Sequence, residues 1–351
     1  MQISKKKGIA IFLTAAFALA AIILLHNNPN AEPMQELLKK GISVIVILVS
    51  CLVFIKGYDK FVVLPQELWQ SRHLIWKLAK NDFKKRYAGS YLGAFWAMLQ
   101  PVVTVGMYYV VFDVIMGGNA SRTSAQVPFV LFLTAGLVPW FYFSEVLSAG
   151  TVVLHEYNYL VKKVVFPINV LPIVKAVSSL FVHGFFVLFT LVVYLLYGFS
   201  ISPYILQAIY YSFAMMVLTV GLIYLTSALC VFFKDMAQLV NIILQVGIWA
   251  TPIMWNFDAM VDKIPHWLAV LLQLNPMYYV TNGYRDSFIS QVGFWERPGL
   301  TLYFWIFTIM VFALGSHVFK KLQPQFADVL EWFPCVFCIQ NSTNCIKFRG
   351  G

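Results

Sequence analysis

The sequence has 351 residues, of which 60% are hydrophobic and only 11% charged, with a formal net charge of +10. A soluble domain carries about 25% charged residues, so this composition excludes a soluble enzyme and indicates an integral membrane protein with several spans. The positive balance does not indicate nucleic-acid binding, because the cations stand beside apolar runs rather than on a soluble basic face. Five cysteines occur: Cys51 and Cys230 lie inside apolar runs, which argues against a disulfide framework. Cys335, Cys338 and Cys345 have no histidine nearby, so they read as unpaired cytosolic thiols rather than as a metal site.

A helix rises 1.5 Å per residue, so about 20 apolar residues cross a bilayer. Eight stretches are candidates. The first two are Gly8 to Leu25, with an "ALAA" at Ala18 to Ala21 that resembles a signal-peptidase site, and the shorter Gly41 to Ile55. The apolar run continues through Leu25, which favours a retained span. The other six form a block: Tyr91 to Met116, Val127 to Val153, Val170 to Tyr197, Tyr204 to Phe233, Leu239 to Trp255 and Leu300 to Phe319. With the N-terminus inside and one crossing per stretch, 18 cations fall on the inner side and 6 on the outer. That bias predicts both termini in the cytosol.

Between the second and third stretches the spacing predicts a helix over Gln66 to Tyr87. Trp69, Ile75, Trp76, Leu78, Ala79, Phe83 and Tyr87 fall on one face; His73, Lys77, Lys80, Asn81, Lys84 and Lys85 fall on the other. Such a helix lies in the membrane interface, with its cations among anionic headgroups. It serves either as a positive-inside anchor or, in addition, as a receiving face for an anionic lipid-linked substrate. Within the spans, Asp113 and Glu145 are either interfacial or functional, and Lys175 either snorkels to the surface or pairs with a carboxylate. His183 reads as a packing or hydrogen-bonding residue. The outer segment Asn256 to Leu300, broken by Pro265 and Pro276, is apolar enough to dip back into the membrane as two short helices. No H-E-x-x-H, Gly-x-Ser-x-Gly or G-x-x-x-x-G-K-[ST] motif occurs. Asp258 and Asp262 read as a solvated helix face.

Four blocks then carry a family resemblance. "LIWKLAKNDFKKRYAGSYLGAFWAMLQPVV", "LVKKVVFPINVLPIV", "FFKDMAQLVNIILQVGIWATPIMW" and "LNPMYYVTNGYRDSF" resemble, in this order, segments of the type-2 ABC exporter permeases that export O-antigen and other polysaccharides. The resemblance covers Gln66 to Lys321; the first 65 residues and the cysteine-bearing tail depart from it. It implies an all-α integral membrane protein: a six-span permease core (89–321) preceded by the amphipathic interface helix (66–88) and by an N-terminal extension (1–65) with two extra apolar segments, and followed by a cytoplasmic tail (322–351). It further implies a homodimer in the bacterial inner membrane, docked on a separate ATPase that binds ATP and magnesium, since this chain has no phosphate loop of its own and no cofactor.

The resemblance also assigns roles. The cytoplasmic segment His155 to Pro167 would couple to the ATPase through His155, Glu156, Tyr157, Tyr159, Lys162 and Lys163. Lys80, Lys84, Lys85 and Arg86 would admit the pyrophosphate of an undecaprenyl-linked polysaccharide. Tyr108, Trp140, Trp255 and Tyr278 offer flat rings with polar tips that suit either sugars or the bilayer interface. The outer segment would gate the exit. Two other functions remain open from the residues: a permease of the same fold for a small hydrophobic molecule, and a membrane-embedded glycan polymerase or ligase with an outward-facing cluster at Asp258, Asp262 and Arg285.

Overall fold

The computed structural model describes residues 66–86, 95–115, 127–162, 166–199 and 202–331, with isolated positions before residue 66 and at 93. Apart from those positions, the two N-terminal apolar segments lie outside the described residues, as do Lys163 and the tail cysteines. The side chains of Asp113, Asp258 and Asp262 also lie outside the description.

Among the described residues every regular element is helical. Helix α1 spans Arg72–Arg86 and α2 spans Phe95–Tyr109, which continues as a π-helical turn, Val110–Ile115. Helix α3 (Phe129–Thr151) is followed by two single turns, α4 (Val153–Glu156) and α5 (Asn158–Val161). Then come α6 (Val170–Leu196), α7 (Gln207–Phe232) and α8 (Met236–Ala250). Short helices α9 (Phe257–Met260), α10 (His266–Gln273) and α11 (Pro276–Arg285) lead to α12 (Pro298–Leu322) and α13 (Phe326–Glu331).

Four of these helical stretches are long and apolar enough to cross a membrane: Phe129–Thr151, Val170–Leu196, Pro203–Phe232 and Pro298–Leu330. Helix α3 is the hub. Leu131, Leu133, Leu137 and Val146 around its circumference are fully buried, and α6, α7, α8 and α11 all pack on it. A helix apolar on all sides belongs in an interior. Helices α7 and α12 cross most closely, at Gly221 and Gly315: a Cβ on Gly221 would stand 2.9 Å from the Phe312 Cα, and one on Gly315 would run into the Gly221 carbonyl. Spans lack a hydrophobic drive between them, so small residues that let backbones approach do this work. Gly315→Val is expected to lower stability by about 1–3 kcal/mol through overpacking, read as a lower unfolding temperature in detergent.

The fifth apolar stretch of the six-span block ends earlier than the sequence suggests. Its helix, α8, stops at Ala250, and Thr251 is extended (φ −90°, ψ 124°) because the following proline disfavours a helical residue before it. The helix is therefore about 22 Å long by its rise. Thr251 and Ile253 continue it as irregular but fully buried chain, which is tolerated at membrane depth only inside protein. This stretch has partners: Asn275 Nδ2 donates to the Thr251 side-chain hydroxyl at 2.8 Å, and Arg285 Nη2 donates to the Ile253 carbonyl at 2.7 Å. The segment from Asn256 to Leu300 holds three short α-helices, α9, α10 and α11, rather than two, and most of α11 is buried.

Candidate functional site

Three helices leave a cavity between them. Its volume is about 770 Å³, and α3, α6 and α8 each offer one stripe to it. The stripes have helical spacing: Val138, Phe141, Glu145 and Ser148 on α3; Ser179, Val182, His183 and Phe186 on α6; Gln238, Asn241, Gln245 and Ile248 on α8. The wall is thus rich in hydrogen-bonding groups although it lies within apolar helices. Ser148 Oγ donates to Asn241 Oδ1 at 2.9 Å, joining α3 to α8. His183 Nε2 lies 3.1 Å from Ser212 Oγ and 2.9 Å from the Tyr284 hydroxyl, as expected of a hydrogen-bonding residue.

One corner of the cavity is charged. Arg86, the last residue of α1, pairs with Glu145 and with Asp82, the latter at 3.2 Å, and donates to Ser179 Oγ at 3.3 Å. Ser179 Oγ in turn donates to Glu145 Oε1 at 2.9 Å. Behind this corner lies a buried cluster. Asp82 and Lys175 are each 2% exposed. Asp82 Oδ1 accepts from Lys175 Nζ and from the Tyr157 hydroxyl, both at 2.7 Å. Lys175 also pairs with Glu156 at 2.7 Å. Of the two fates open to Lys175, it therefore takes pairing with a carboxylate. Burial raises the Asp82 carboxyl, but the Lys175 charge and the hydrogen bonds from Lys175 and Tyr157, with Arg86 adding, hold it below the ordinary carboxylate range. Burial first, and then the adjoining Asp82 carboxylate, push the Tyr157 phenol upward, so it stays a hydrogen-bond donor.

Helix α1 lays part of its apolar face against α6. Ile75, Ala79 and Asp82 are the buried residues, with Ile75 and Ala79 against Val170 and Val174 of α6. Trp69 and Trp76 are exposed at 73% and 57%, though Trp76 and Phe83 keep one contact each with the Phe181 ring, at 5.5 and 5.4 Å between centroids. Asp82 joins this buried stripe and meets Lys175 of α6 at 2.7 Å. The four cations are separated. Lys80, Lys84 and Lys85 are exposed, whereas Arg86 points into the charged corner.

The proposed contact segment is two helical turns that break at Tyr157. Glu156, Tyr159 and Lys162 are exposed, while Tyr157 is buried and His155 Nε2 sits 3.1 Å from the Cys230 carbonyl. Of the four aromatics, only Trp140 lines the cavity; its ring lies so close to α8 that a Cβ on Gly247 would stand 2.8 Å away. Tyr108 is half-buried on α2. Trp255 and Tyr278 belong to a separate cluster around Phe257, where the Tyr278 ring meets the Phe257 ring edge-on at 5.2 Å. Arg285 is buried over the Phe132 ring at 3.6 Å and clamps Ile253, a structural placement rather than an outward-facing catalytic one. The amides of α8 were missed in reading the sequence, although Gln238, Asn241 and Gln245 recur every three to four residues in an otherwise apolar run.

Comparison with known proteins places this architecture. The family model of the ABC-2 type transporters matches residues 73–289, which takes in α1, the cavity helices and the outer segment. The chain belongs to the ABC-2 type transporter family. As an ABC-2 transporter chain it is a membrane protein and a transporter component. It is 27% identical over 265 residues to the O-antigen export system permease protein RfbA of Myxococcus xanthus, which covers 76% of this chain and 98% of that protein. It is 26% identical over 259 residues to the protein of the same name from Klebsiella pneumoniae, covering 72% and 93%. In this ABC-2 chain the cavity is therefore walled by residues that lie inside the family match.

Proposed function

We propose that the chain is the membrane-spanning subunit of an ATP-driven exporter that carries lipid-linked polysaccharide outward across the bacterial inner membrane. The observation that carries this reading is the cavity, whose wall of amides, hydroxyls, a carboxylate and aromatic rings suits a polyhydroxylated chain. Two relatives named as O-antigen export permeases support the same substrate class. The six-span core 89–321 counts α2 with its π-helical extension, α3, α6, α7, α8 with its buried irregular end, and α12. Two such cores form a homodimer, with both termini in the cytosol. Helix α1 lies in the inner interface, where exposed Lys80, Lys84 and Lys85 meet lipid headgroups and the undecaprenyl pyrophosphate. A separate ATPase, holding ATP and magnesium, bears on the exposed residues Glu156, Tyr159 and Lys162.

The test is co-purification of the tagged chain from its native membrane, followed by an ATP-hydrolysis assay. A nucleotide-binding subunit is expected to come down with it. Changing Lys162 and Lys163 to Glu is expected to lower the co-purified hydrolysis about tenfold, because a reversed charge pair at an interface opposes docking. A chain that purifies without any ATPase overturns the reading.

A further inference from the structure

An unbroken polar chain runs from the cytoplasmic contact segment to the cavity wall. It begins at Glu156, which is exposed and holds Lys175. Lys175 and Tyr157 hold one oxygen of Asp82, and Arg86 holds the other. Arg86 then grips Glu145 and Ser179, and these two line the cavity. Four parts of the fold contribute: α1, α3, the α4–α5 break and α6. None of the groups is adjacent in sequence to the next across these parts; Asp82 and Lys175 are 93 positions apart, and Arg86 and Glu145 are 59 apart.

Such a chain resists gradual deformation. Its inner members are out of water, where hydrogen bonds are stronger and an unsatisfied group is costly. Shifting Glu156 or Tyr157 therefore either carries Lys175 and Asp82 along or breaks a buried bond. Arg86 is the member with a choice. Its guanidinium has five donors in a fixed fork, and it stands between Asp82, which belongs to the contact-side cluster, and Glu145, which belongs to the cavity.

We propose that Lys175, Asp82 and Arg86 form a coupling relay, through which displacement of the Val153–Val161 segment sets whether Arg86 holds Glu145 and Ser179 in the cavity wall. With Arg86 in place the corner is closed and its carboxylate neutralised. With Arg86 withdrawn, Glu145 keeps only the Ser179 hydroxyl as a donor, its charge is no longer neutralised, and the end of the cavity nearer the contact segment widens. This proposal rests on the reading above that a separate ATPase drives that segment.

The test uses the full chain with its co-purified ATPase in proteoliposomes, loaded with undecaprenyl-pyrophosphate-linked glycan extracted from the native membrane. ATP hydrolysis and glycan translocation are measured side by side. Arg86→Gln alters a partly exposed group outside the cavity lining and leaves Asp82 and Lys175 paired. It is expected to keep hydrolysis within about twofold of the wild type while translocation per ATP falls about tenfold, the scale of an ordinary coupling free energy. The paired variant Asp82→Asn/Lys175→Met removes both buried charges at once, leaves no orphaned ion, and is expected to uncouple likewise. Wild-type translocation per ATP in any of these variants overturns the relay. So does a parallel loss of hydrolysis and translocation that tracks the amount of assembled complex, which is the outcome of a merely structural role. Failure of the underlying reading is distinguishable, because it shows in the wild type as the absence of any ATPase.

Discussion

Replacing Lys175 alone by methionine is expected to destabilise the protein by about 3 kcal/mol, and Asp82→Asn alone by a similar amount or more, the range found when one partner of a buried ion pair is removed. The two losses are not equivalent. Without Lys175, Asp82 still has Arg86 at 3.2 Å and the Tyr157 hydroxyl at 2.7 Å. Without the Asp82 charge, Lys175 keeps only Glu156 among its ion pairs, and that side chain is 49% exposed. The Asp82→Asn/Lys175→Met protein is expected to recover most of the loss, because a neutral pair has no unpaired charge to desolvate. Unfolding midpoints of the four proteins in one detergent form a double-mutant cycle that measures this. A double variant no better than the worse single would show that the two charges do not act as a pair. The pH dependence has a definite sign. The Asp82 carboxyl titrates below its ordinary value in the folded protein. Its contribution is therefore complete above the unfolded value near pH 4 and is lost only as the pH falls through the lower folded value. Between about pH 5 and pH 8 the difference between wild type and Asp82→Asn should be constant.

That buried pair also marks the limit of what the sequence disclosed. Helix α1, the four long apolar helices and the short helices between Asn256 and Leu300 were all legible, because each rests on composition or on a local period. The stopping point of α8 was legible too, in Pro252, but hydropathy alone overran it to Trp255. The burial of Asp82 on α1 was harder. Ile75, Ala79, Asp82 and Arg86 recur at spacings of four, three and four and form a single stripe. Asp82 occupies a position on that stripe where an apolar residue would ordinarily stand. Hydropathy puts Ile75 and Ala79 on the apolar face, but that Asp82 is buried beside them depends on a partner 93 residues away. A contact so distant has no local periodicity. The same holds for Arg86, which sequence grouped with Lys84 and Lys85 and which the fold pairs with Glu145.

The cavity supports the second large effect. Asn241 and Gln245 stand exposed on the α8 stripe, so changing both to leucine keeps their approximate volume and leaves the buried core intact. Each side chain offers an amide that both donates and accepts. On the proposed function a glycan would meet these groups in place of water, and hydrogen bonds of this kind contribute about 1 kcal/mol each. Loss of both amides is therefore expected to slow glycan translocation about tenfold or more, while basal ATP hydrolysis stays near wild type and the loss of the Ser148–Asn241 bond costs about 1 kcal/mol of stability. A small hydrophobic substrate would respond in the opposite direction, since a greasier wall favours it. Measuring the translocation of glycan and of an apolar dye in the same Asn241→Leu/Gln245→Leu proteoliposomes thus separates the two kinds of exporter. Slower glycan with unchanged or faster dye assigns the cavity to the polysaccharide path. Unchanged glycan transport would mean that the chain travels elsewhere, leaving Asn241 with the structural role of joining α8 to Ser148 of α3.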